Sequence, residues 1–428
     1  MREMKDSGVA WIGAVPSDYR TASIGSLFAI KKDIIGREPE TVLSITQTGI
    51  RPKDLSSNEG QNASSYAHYQ IVNVGDFAMN HMDLLTGWID ISKYEGVTSP
   101  DYRVFTLNDK EMSADYFLRV FQYYYTNKVF FGFGQGVATL GRWRLPAINF
   151  KKIDIPVPPV LEQQRIVSAI DEKVGKVDAL IANVQAQIEK LKDYKQSVIT
   201  EVVTKGLEPT VPVKDSGIER IGKIAETHTI FRLKYLLDSP MQYGANESGD
   251  KFIEDSVRYI RITDITADGK LKNDENNQYL PLDAADGYIL KDKDVLFARS
   301  GGTVGKSFLY HEDYGTSSFA GYLIKAECDQ SALLPEYLIY YSQSSLYELW
   351  KNMIFIQATI QNIGANKYSN MEIPVPSIDE QATIVEYLEG KCAQIDRLIA
   401  IKQAKIEKLE QYKRSLIYEY VTGKREVI

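Results

Sequence analysis

Apolar residues along two long, proline-free stretches recur at the spacing of a coiled-coil seam. Between Glu162 and Thr204 they lie mostly at alternating steps of four and three, at Ile170, Val174, Val177, Ile181, Val184, Ile188, Leu191, Val198 and Val202. After residue 377 the stripe returns at Leu388, Cys392, Ile395, Ile399, Ile406, Leu409, Leu416 and Tyr420, with lysine at Lys402 and Lys413. A period of 3.5 residues is typical of coiled coils. We therefore predict two long helices.

These helices belong to an internal repeat. Shifted by 218 residues, the segment 155–204 aligns without a gap with 373–422, and 26 of the 50 positions are identical. A shorter repeat opens each half, because KDSGVAWIG from Lys5 returns as KDSGIERIG from Lys214. The residues between these flanks differ. Constant flanks around dissimilar middles indicate that the flanks share one task while the middles perform two different tasks.

The repeat predicts an α+β chain in which two globular domains alternate with the two long helices. Proline-rich segments (Pro156 to Pro159 and Pro374 to Pro376) should end each globular module, and Gly206 and Gly423 should end the helices. The expected segments are 1–158, 159–206, 207–376 and 377–428.

Each helical stripe has an obvious partner in the other. If the first helix leaves the first module and the second module begins at its far end, the second helix can return alongside it. The predicted pair is then an antiparallel coiled coil with pseudo-two-fold symmetry, about 43 residues and on the order of 60 Å long. Its interface should contain Ile170, Val177, Ile181, Ile188, Leu191 and Val198, and Leu388, Ile395, Ile399, Ile406, Leu409 and Leu416. The alternative is that each helix packs only on its own module.

Composition narrows the functional classes. The chain has 428 residues, 44% of them hydrophobic and 25% charged, and no apolar run is long enough to span a bilayer. Its two cysteines, Cys328 and Cys392, lie in different halves, and its four histidines are scattered. We expect a cytoplasmic protein without a metal site. The net charge of -7 means that nucleic-acid binding would have to depend on local positive charge.

One such patch occurs in the first module. The segment from Tyr116 to Ile153 has six cations and no acidic residue, and its aromatic residues surround the glycines of GFGQG. We expect DNA contacts from Lys128, Gln135, Thr139, Arg142 and Arg144. The alternative is that the aromatic residues form core and the cations a solvated rim.

The second module offers two comparable loops, FARSGGTVGKSFLY and QATIQNIGANKYS. Asn and Gln pair bidentately with adenine, and Arg or Lys with guanine. The expected contacts are Arg299, Ser300, Thr303, Lys306, Thr359, Gln361, Asn362 and Lys367.

Catalytic interpretations fail. SGGTVGKS lacks the first glycine of a phosphate-binding loop, because Ser300 occupies that position. FFGFG fits a short methyltransferase glycine motif, but no Asn-Pro-Pro-Tyr or Asp-Pro-Pro-Tyr accompanies it, and no catalytic constellation is convincing. We expect no enzymatic activity from this chain.

Taken together, these residues resemble the specificity subunit, called HsdS, of Type I restriction-modification enzymes. The resemblance rests on the IPVP...EQ boundaries, the helix ends LKDYKQSVITEVVTKG and LEQYKRSLIYEYVTGK, the KDSG...IG openings, and FARSGGTVGK and VRYIRITDI in the second module.

The resemblance implies two target-recognition domains that each read one half of a bipartite, asymmetric site in double-stranded DNA. It implies that the coiled coil docks two modification subunits, which use S-adenosylmethionine to methylate adenine, and that restriction subunits cleave with ATP and Mg. No cofactor is expected on this chain. The alternative is a coiled-coil scaffold that binds protein partners without DNA specificity.

Overall fold

The computed structural model describes residues 2–55, 63–136, 143–266, 269–272, 274–356 and 361–427. The chain forms two compact units. The first unit comprises residues 1–184 and 404–428, and the second comprises 185–403. Each unit therefore combines one globular module with part of each long helix.

In the first module, short strands surround a few helices. The strands are β1 (Met4–Asp6), β2 (Ala14–Pro16), β3 (Arg20–Ser23), β4 (Phe28–Lys31), β5 (Leu43–Thr46), β6 (Gly49–Pro52), β7 (Gln70–Val72), β8 (Phe77–Met79), β9 (Ile89–Ile91), β10 (Gly96–Thr98), β11 (Arg103–Leu107) and β12 (Asp154–Val157). The helices are α1 (Ile24–Leu27), α2 (Ala114–Thr126), α3 (Val129–Gly132) and α4 (Ala147–Lys152), and the first long helix, α5 (Val160–Lys205), follows.

In the second module the strands are β13 (Val213–Asp215), β14 (Lys223–Ala225), β15 (Thr229–Arg232), β16 (Gln242–Tyr243), β17 (Ser256–Ile260), β18 (Gln278–Pro281), β19 (Val295–Ala298), β20 (Ser307–Leu309), β21 (Ser317–Phe319), β22 (Leu323–Ala326) and β23 (Glu372–Val375). The helices are α6 (Leu282–Ala285), α7 (Pro335–Tyr341), α8 (Ser345–Ile356) and α9 (Ala365–Ser369), and the second long helix is α10 (Ile378–Val421). Single 3-10 turns occur at Leu233–Tyr235, Ile262–Asp264 and Glu312–Tyr314.

Both modules are built on an antiparallel four-stranded sheet with the same connectivity. The strand order is β4-β11-β8-β9 in the first module and β16-β22-β19-β20 in the second. In the first module, one face of the sheet places Phe77 and Phe105 in the aromatic core with α2. The other face places Ala78 and Val104 against residues of β5 and β6. Alternate side chains are apolar on both faces because both are covered.

The proline-rich segments are the last strands of the modules. β12 pairs with β3, and β23 pairs with β15. Each pairing ties the end of a module to its beginning immediately before a long helix starts. Gly206 and Gly423, with φ of +72° and +68°, follow the helix ends in the left-handed conformation that glycine adopts without strain.

The long helices pair antiparallel within each unit. In the first unit, Lys413 Nζ of α10 lies 2.6 Å from Asp178 Oδ1 of α5. In the second unit, Lys195 of α5 forms an ion pair with Asp396 of α10 at 2.7 Å. Residue numbers rise along one helix as they fall along the other, so the antiparallel prediction is confirmed. Lys402, one of the two lysines that interrupt the apolar stripe, donates to Gln187 Oε1 at 2.6 Å.

All twelve residues that the sequence predicts at the seam are buried or half-buried. Ile170, Val177, Ile181, Ile188, Leu388, Ile395, Ile406 and Leu416 are buried, and Leu191, Val198, Ile399 and Leu409 are half-buried. The ends of the stripes also enter the module cores, with Ile170 and Leu416 in the first unit and Leu388 in the second. The helices therefore pack on each other and on the modules.

Candidate nucleic-acid interface

A buried glutamine links the start of each long helix to the adjoining module by hydrogen bonds. Gln163, in the first turn of α5, accepts a hydrogen bond from Ser113 N and donates to Pro158 O. Gln381 in α10 accepts from Leu334 N and donates to Pro376 O. Ser113 and Leu334 are the N-cap residues, which immediately precede α2 and α7. The glutamine of the IPVP...EQ motif thus locks the helix to the module beside it.

In each module, a buried tyrosine forms a hydrogen bond to the end of the long helix that does not start there. The Tyr116 hydroxyl lies 2.8 Å from Val421 O, at the end of α10, and 3.1 Å from Pro156 O in β12. The Tyr337 hydroxyl lies 3.0 Å from Val203 O, near the end of α5, and 2.8 Å from Pro374 O in β23. These contacts fasten each module to the end of one long helix and to its own last strand.

The segment from Gln135 to Arg144 follows α3, and we call it the first loop set. Gln135 N donates to Arg144 O at 2.8 Å, and Arg144 N donates to Gln135 O at 3.1 Å. This pair closes the base of the segment between them, and both side chains are exposed. Thr139 and Arg142, also expected to contact DNA, lie outside the described residues. Arg144 and Gln135 line a shared recess of about 250 Å³.

The buried Arg103 and the half-buried His81 anchor this loop. Arg103 Nη2 donates to Leu145 O at 2.7 Å, and His81 O accepts from Leu145 N at 2.9 Å. The Arg103 guanidinium also lies over the Phe150 ring, 4.6 Å from its centroid. Neither residue was predicted from the sequence. Arg103 lies in YRVFTL, where it has the appearance of a polar residue on the solvent side of a strand.

Burial sets the protonation of these anchors. Desolvation and the charge of Arg103 lower the pKa of His81 to about 3, and desolvation lowers the pKa of Arg103 to about 10. At neutral pH, His81 is uncharged and Arg103 is a cation.

Lys128 takes a separate position. It immediately precedes α3, where it adopts the left-handed conformation with φ of 59°, and its side chain is exposed. It does not line the recess that Gln135 and Arg144 share, according to the lining residues that the structure describes.

The aromatic residues of the same segment are core. Tyr124, Tyr125 and Phe130 are at most 5% exposed, and Trp143 stacks on Phe131. Arg119 forms an ion pair with Asp171 of α5 at 2.7 Å. The idea of an aromatic surface interleaved with cations is therefore wrong for these residues, and the remaining candidates for DNA contact are the exposed cations and amides.

In the second module the structure brings both predicted loops together. Ile363 N donates to Arg299 O at 2.8 Å, and Ser300 pairs with Asn362 in an isolated bridge. Gln361 and Asn362 are exposed. The Arg299 guanidinium lies 4.9 Å from the centroid of the Tyr243 ring. Thr359 lies outside the described residues.

Three predicted residues of this module face elsewhere. Thr303 and Lys306 belong to the connection between β19 and β20 and line a cleft of about 930 Å³ together with Lys195 and Asp396 of the long helices. Lys367, on α9, lines a different groove with Arg220 and Glu372. The structure therefore groups Arg299, Ser300, Gln361 and Asn362 and separates the other three from them.

Metal-binding clusters and membrane-spanning helices are absent from the described part of the chain. Within it, no cluster of three or more His, Cys, Asp or Glu residues could hold a metal ion. No helix among the described residues is long and apolar enough to cross a membrane. Cys328 and Cys392 are free and buried.

A family model for the Type I restriction modification DNA specificity domain matches residues 16–190 and again 241–411. The MjaVIII specificity subunit of a Type I restriction enzyme from Methanocaldococcus jannaschii is 27% identical over 288 residues, which is 65% of this chain and 63% of that protein. The alignment thus covers less than two thirds of that relative. The putative MjaX specificity subunit from the same organism is 22% identical, with 97% of this chain and 96% of that protein covered.

A solved structure has the same fold. A chain from work on complex assembly and conformational transition of the type I R-M system superposes with a TM-score of 0.70 at 15% identity, covering 95% of this chain and 98% of the other. The two-module arrangement with paired long helices is thus an observed architecture.

Proposed function

Because the chain belongs to the Type I restriction-modification DNA specificity family, we propose that it recognises a bipartite site in double-stranded DNA for partner enzymes. Each module reads one half, and the chain itself performs no catalysis. We propose that it works as four segments, namely recognition domains at 1–158 and 207–376 and helical segments at 159–206 and 377–428.

The observation that carries this proposal is the contrast between framework and loops. Both modules share a sheet order, a glutamine anchor and a tyrosine anchor, whereas the grouped loop residues differ. The first module presents Gln135 and Arg144, and the second presents Arg299, Ser300, Gln361 and Asn362. Different donor sets read different bases, so the site should be asymmetric.

The chemistry of these side chains suits base edges in the major groove. An amide pairs bidentately with adenine and a guanidinium with guanine, and each good pair discriminates by about 1–3 kcal/mol. We also assign DNA contacts to Lys128, Thr139, Arg142, Thr303, Lys306, Thr359 and Lys367. Lysines among them suit phosphates, which position the protein on the duplex.

We propose that the long helices set the distance between half-sites and dock two modification subunits. Apolar side chains remain exposed on both helices, including Leu180, Tyr194, Leu398 and Ile401, each at least 48% exposed. These side chains are the apolar contacts that a docked modification subunit would cover. The modification subunits would bring S-adenosylmethionine and methylate adenine, and restriction subunits would use ATP and Mg, all in the cytoplasm.

Selection from random duplexes tests the proposal. The full chain, with and without a modification subunit, is incubated with a duplex library, and bound sequences are counted. We expect enrichment of a two-part motif. A coiled-coil scaffold would add no sequence preference beyond that of the modification subunit, and that result would refute DNA recognition by this chain.

Deletion of matched heptads tests the spacing role. Removing two heptads from both helices should shorten the preferred gap between the half-sites, since each residue contributes about 1.5 Å of helix. An unchanged gap in an assembled, active complex would rule out the helices as the determinant of spacing.

A further inference from the structure

The first unit contains a buried arginine without a counter-ion. Arg103 is 4% exposed, and it has no ion pair among the described residues. Its Nη2 donates to Leu145 O, but its Nη1 has no hydrogen-bond partner within the part of the chain that the structure describes. A buried cation without a counter-ion destabilises the folded state unless other groups compensate its lost hydration. Such an arrangement is expected where a ligand supplies the missing acceptor.

Arg103 lines a cavity of about 420 Å³ that favours an anion. We call this cavity the Arg103 pocket. Its polar lining comprises Lys31, Lys32, Gln70, His81, Tyr102 and Arg103, and no carboxylate is among its described lining residues. Lys31 is already paired, because its Nζ lies 2.6 Å from Asp76 Oδ2. Arg103 and the exposed Lys32 therefore provide the charge that a ligand would meet.

His81 supplies a polar group without adding charge. Its Nδ1 is buried and has no hydrogen-bond partner among the described residues. Because burial lowers the pKa of His81 to about 3, its imidazole is neutral at physiological pH, with one ring nitrogen that donates and one that accepts. Two unsatisfied polar groups thus lie in the lining of one cavity.

The fold does not require a cation at this position. Arg103 occupies β11 opposite Met79 of β8. At the same level of the second module's sheet, β22 pairs with β19 through Leu323 and Ile324, both fully buried. An apolar residue occupies the equivalent position there, and the buried cation of β22, Lys325, is paired with Asp294, so a buried arginine without a counter-ion is particular to the first module.

The Arg103 pocket adjoins the first loop set. It shares His81 and Pro100 with the recess that Gln135 and Arg144 line. Arg103 also holds Leu145, the residue after Arg144. A ligand in the pocket would therefore lie beside the loop that we assign to base contacts, and would contact the residue that anchors it.

We propose that the Arg103 pocket binds one phosphate of the DNA backbone next to the first half-site. This inference rests on the proposed function. A guanidinium matches the geometry of phosphate oxygens through paired N–H donors, and a phosphate would satisfy both Nη1 and the buried charge. The contact carries no base information but fixes the position of the loop closed by Gln135 and Arg144.

Ethylation interference tests this assignment. Duplexes carrying the recognised site are ethylated at random phosphates, and the full chain with its modification subunit selects those that still bind. Arg103→Met retains the apolar stem without the charge, and Lys32→Ala removes the exposed cation of the same pocket. Lys110→Ala, another exposed lysine of the first unit, is the matched control.

We expect ethylation of one particular phosphate to block binding of the native protein but not of Arg103→Met. Affinity should fall roughly tenfold or more, as for a charged hydrogen bond, and the slope of log K against log salt should decrease by about 1. Lys32→Ala should reduce the same slope and leave the base preference intact. Lys110→Ala should match the native protein.

Two results would overturn the inference without touching the proposed function. In the first, Lys32→Ala and a folded Arg103→Met both keep the native ethylation-interference pattern and the native salt slope while the motif is still recognised. If Arg103→Met does not fold, a native interference pattern and salt slope for Lys32→Ala alone decide against the inference. In the second, inorganic phosphate raises the melting temperature of the native chain but not of the variants, and yet every phosphate whose ethylation blocks the native protein also blocks Arg103→Met. If the native chain shows no sequence preference, the proposed function itself fails.

Discussion

Two arginines of the first unit differ in whether their side chains are free to contact DNA. Arg144 is exposed at the base of the first loop set, whereas Arg119, on α2 of the same unit, is held by Asp171 at 2.7 Å. The first can reach a base edge or a phosphate, and the second is committed to the protein. Under the proposed function, local charge and not the net charge of -7 would determine where DNA binds.

This contrast predicts different effects of two arginine substitutions. Arg144→Ala should relax the preference at one position of one half-site by about 1–3 kcal/mol. Arg119→Ala should leave the motif unchanged, because a half-exposed ion pair contributes little. Competition binding with single-base variants of the motif measures both. Equal effects of the two substitutions would contradict the assignment of Arg144.

A second residue-scale prediction concerns pH. The folded chain holds the pKa of His81 at about 3, below the ordinary value of about 6.5 in the unfolded chain. The unfolded state therefore takes up a proton first as the pH falls. Stability from the neutral imidazole is present above pH 6.5 and is lost between about pH 6.5 and 3, by up to about 1.4 kcal/mol per pH unit.

Denaturant unfolding across this pH range gives the measurement. His81→Gln should flatten the pH dependence relative to the native chain, and His68→Gln, at an exposed position of the same unit, should not. If both variants keep the native slope, the buried imidazole does not contribute it.

At the scale of elements, the sequence predicted the parts that follow a regular period. The seam gave the long helices from Glu162 to Thr204, and the structure has Val160–Lys205. Flank identity also located the anchors, since the repeated glutamines Gln163 and Gln381 make equivalent bonds.

The shared sheet escaped the sequence comparison because different residues build it. The turn before β8 has Gly75 at φ +90°, and the turn before β19 has Lys293 at φ +67°. Each is followed by a buried aspartate, Asp76 or Asp294, that accepts from a backbone N–H three residues earlier. One backbone shape with two unlike sequences cannot be aligned by identity.

The site was predictable only in part for a similar reason. Arg299, Ser300, Gln361 and Asn362 carry side chains suited to base recognition, and the structure groups them. The significance of Arg103 depends on tertiary burial and on an unpaired nitrogen atom, which leave no periodic trace in the sequence.

The tyrosine anchors yield an element-scale prediction. Tyr116→Phe removes a buried hydroxyl from the carbonyls of Val421 and Pro156. The free energy of unfolding of the first unit should fall by about 1–3 kcal/mol. Tyr94→Phe, at a position 42% exposed, should change it little. Hydrogen exchange at the end of α10 would report the loosening, and unchanged protection there would contradict the anchoring role.

At the scale of the whole molecule, each module fastens the beginning of one long helix and the end of the other. In the first unit, Arg2 N also donates to Glu426 Oε1 at 3.0 Å, so residues near the two ends of the chain are in contact. These contacts, and not the order in which the chain connects the modules, hold each module to the two helices.

A circular permutant follows from this arrangement. Joining residue 427 to residue 2 through a short linker and opening the chain after Gly206 should preserve both anchoring sets. We expect thermal unfolding within a few degrees of the native chain and the same DNA motif. A folded permutant with a different motif would show that chain order contributes to recognition.

The central claim is that two unlike modules on one framework read two unlike half-sites. Methylome sequencing of cells that express the chain with its modification subunit tests it most directly, using the native chain and a chain in which residues 20–150 are exchanged for those of another family member. We predict an asymmetric two-part motif in which the exchange alters one half and leaves the other half and the gap unchanged. A palindromic motif, or a change in both halves, would contradict the account.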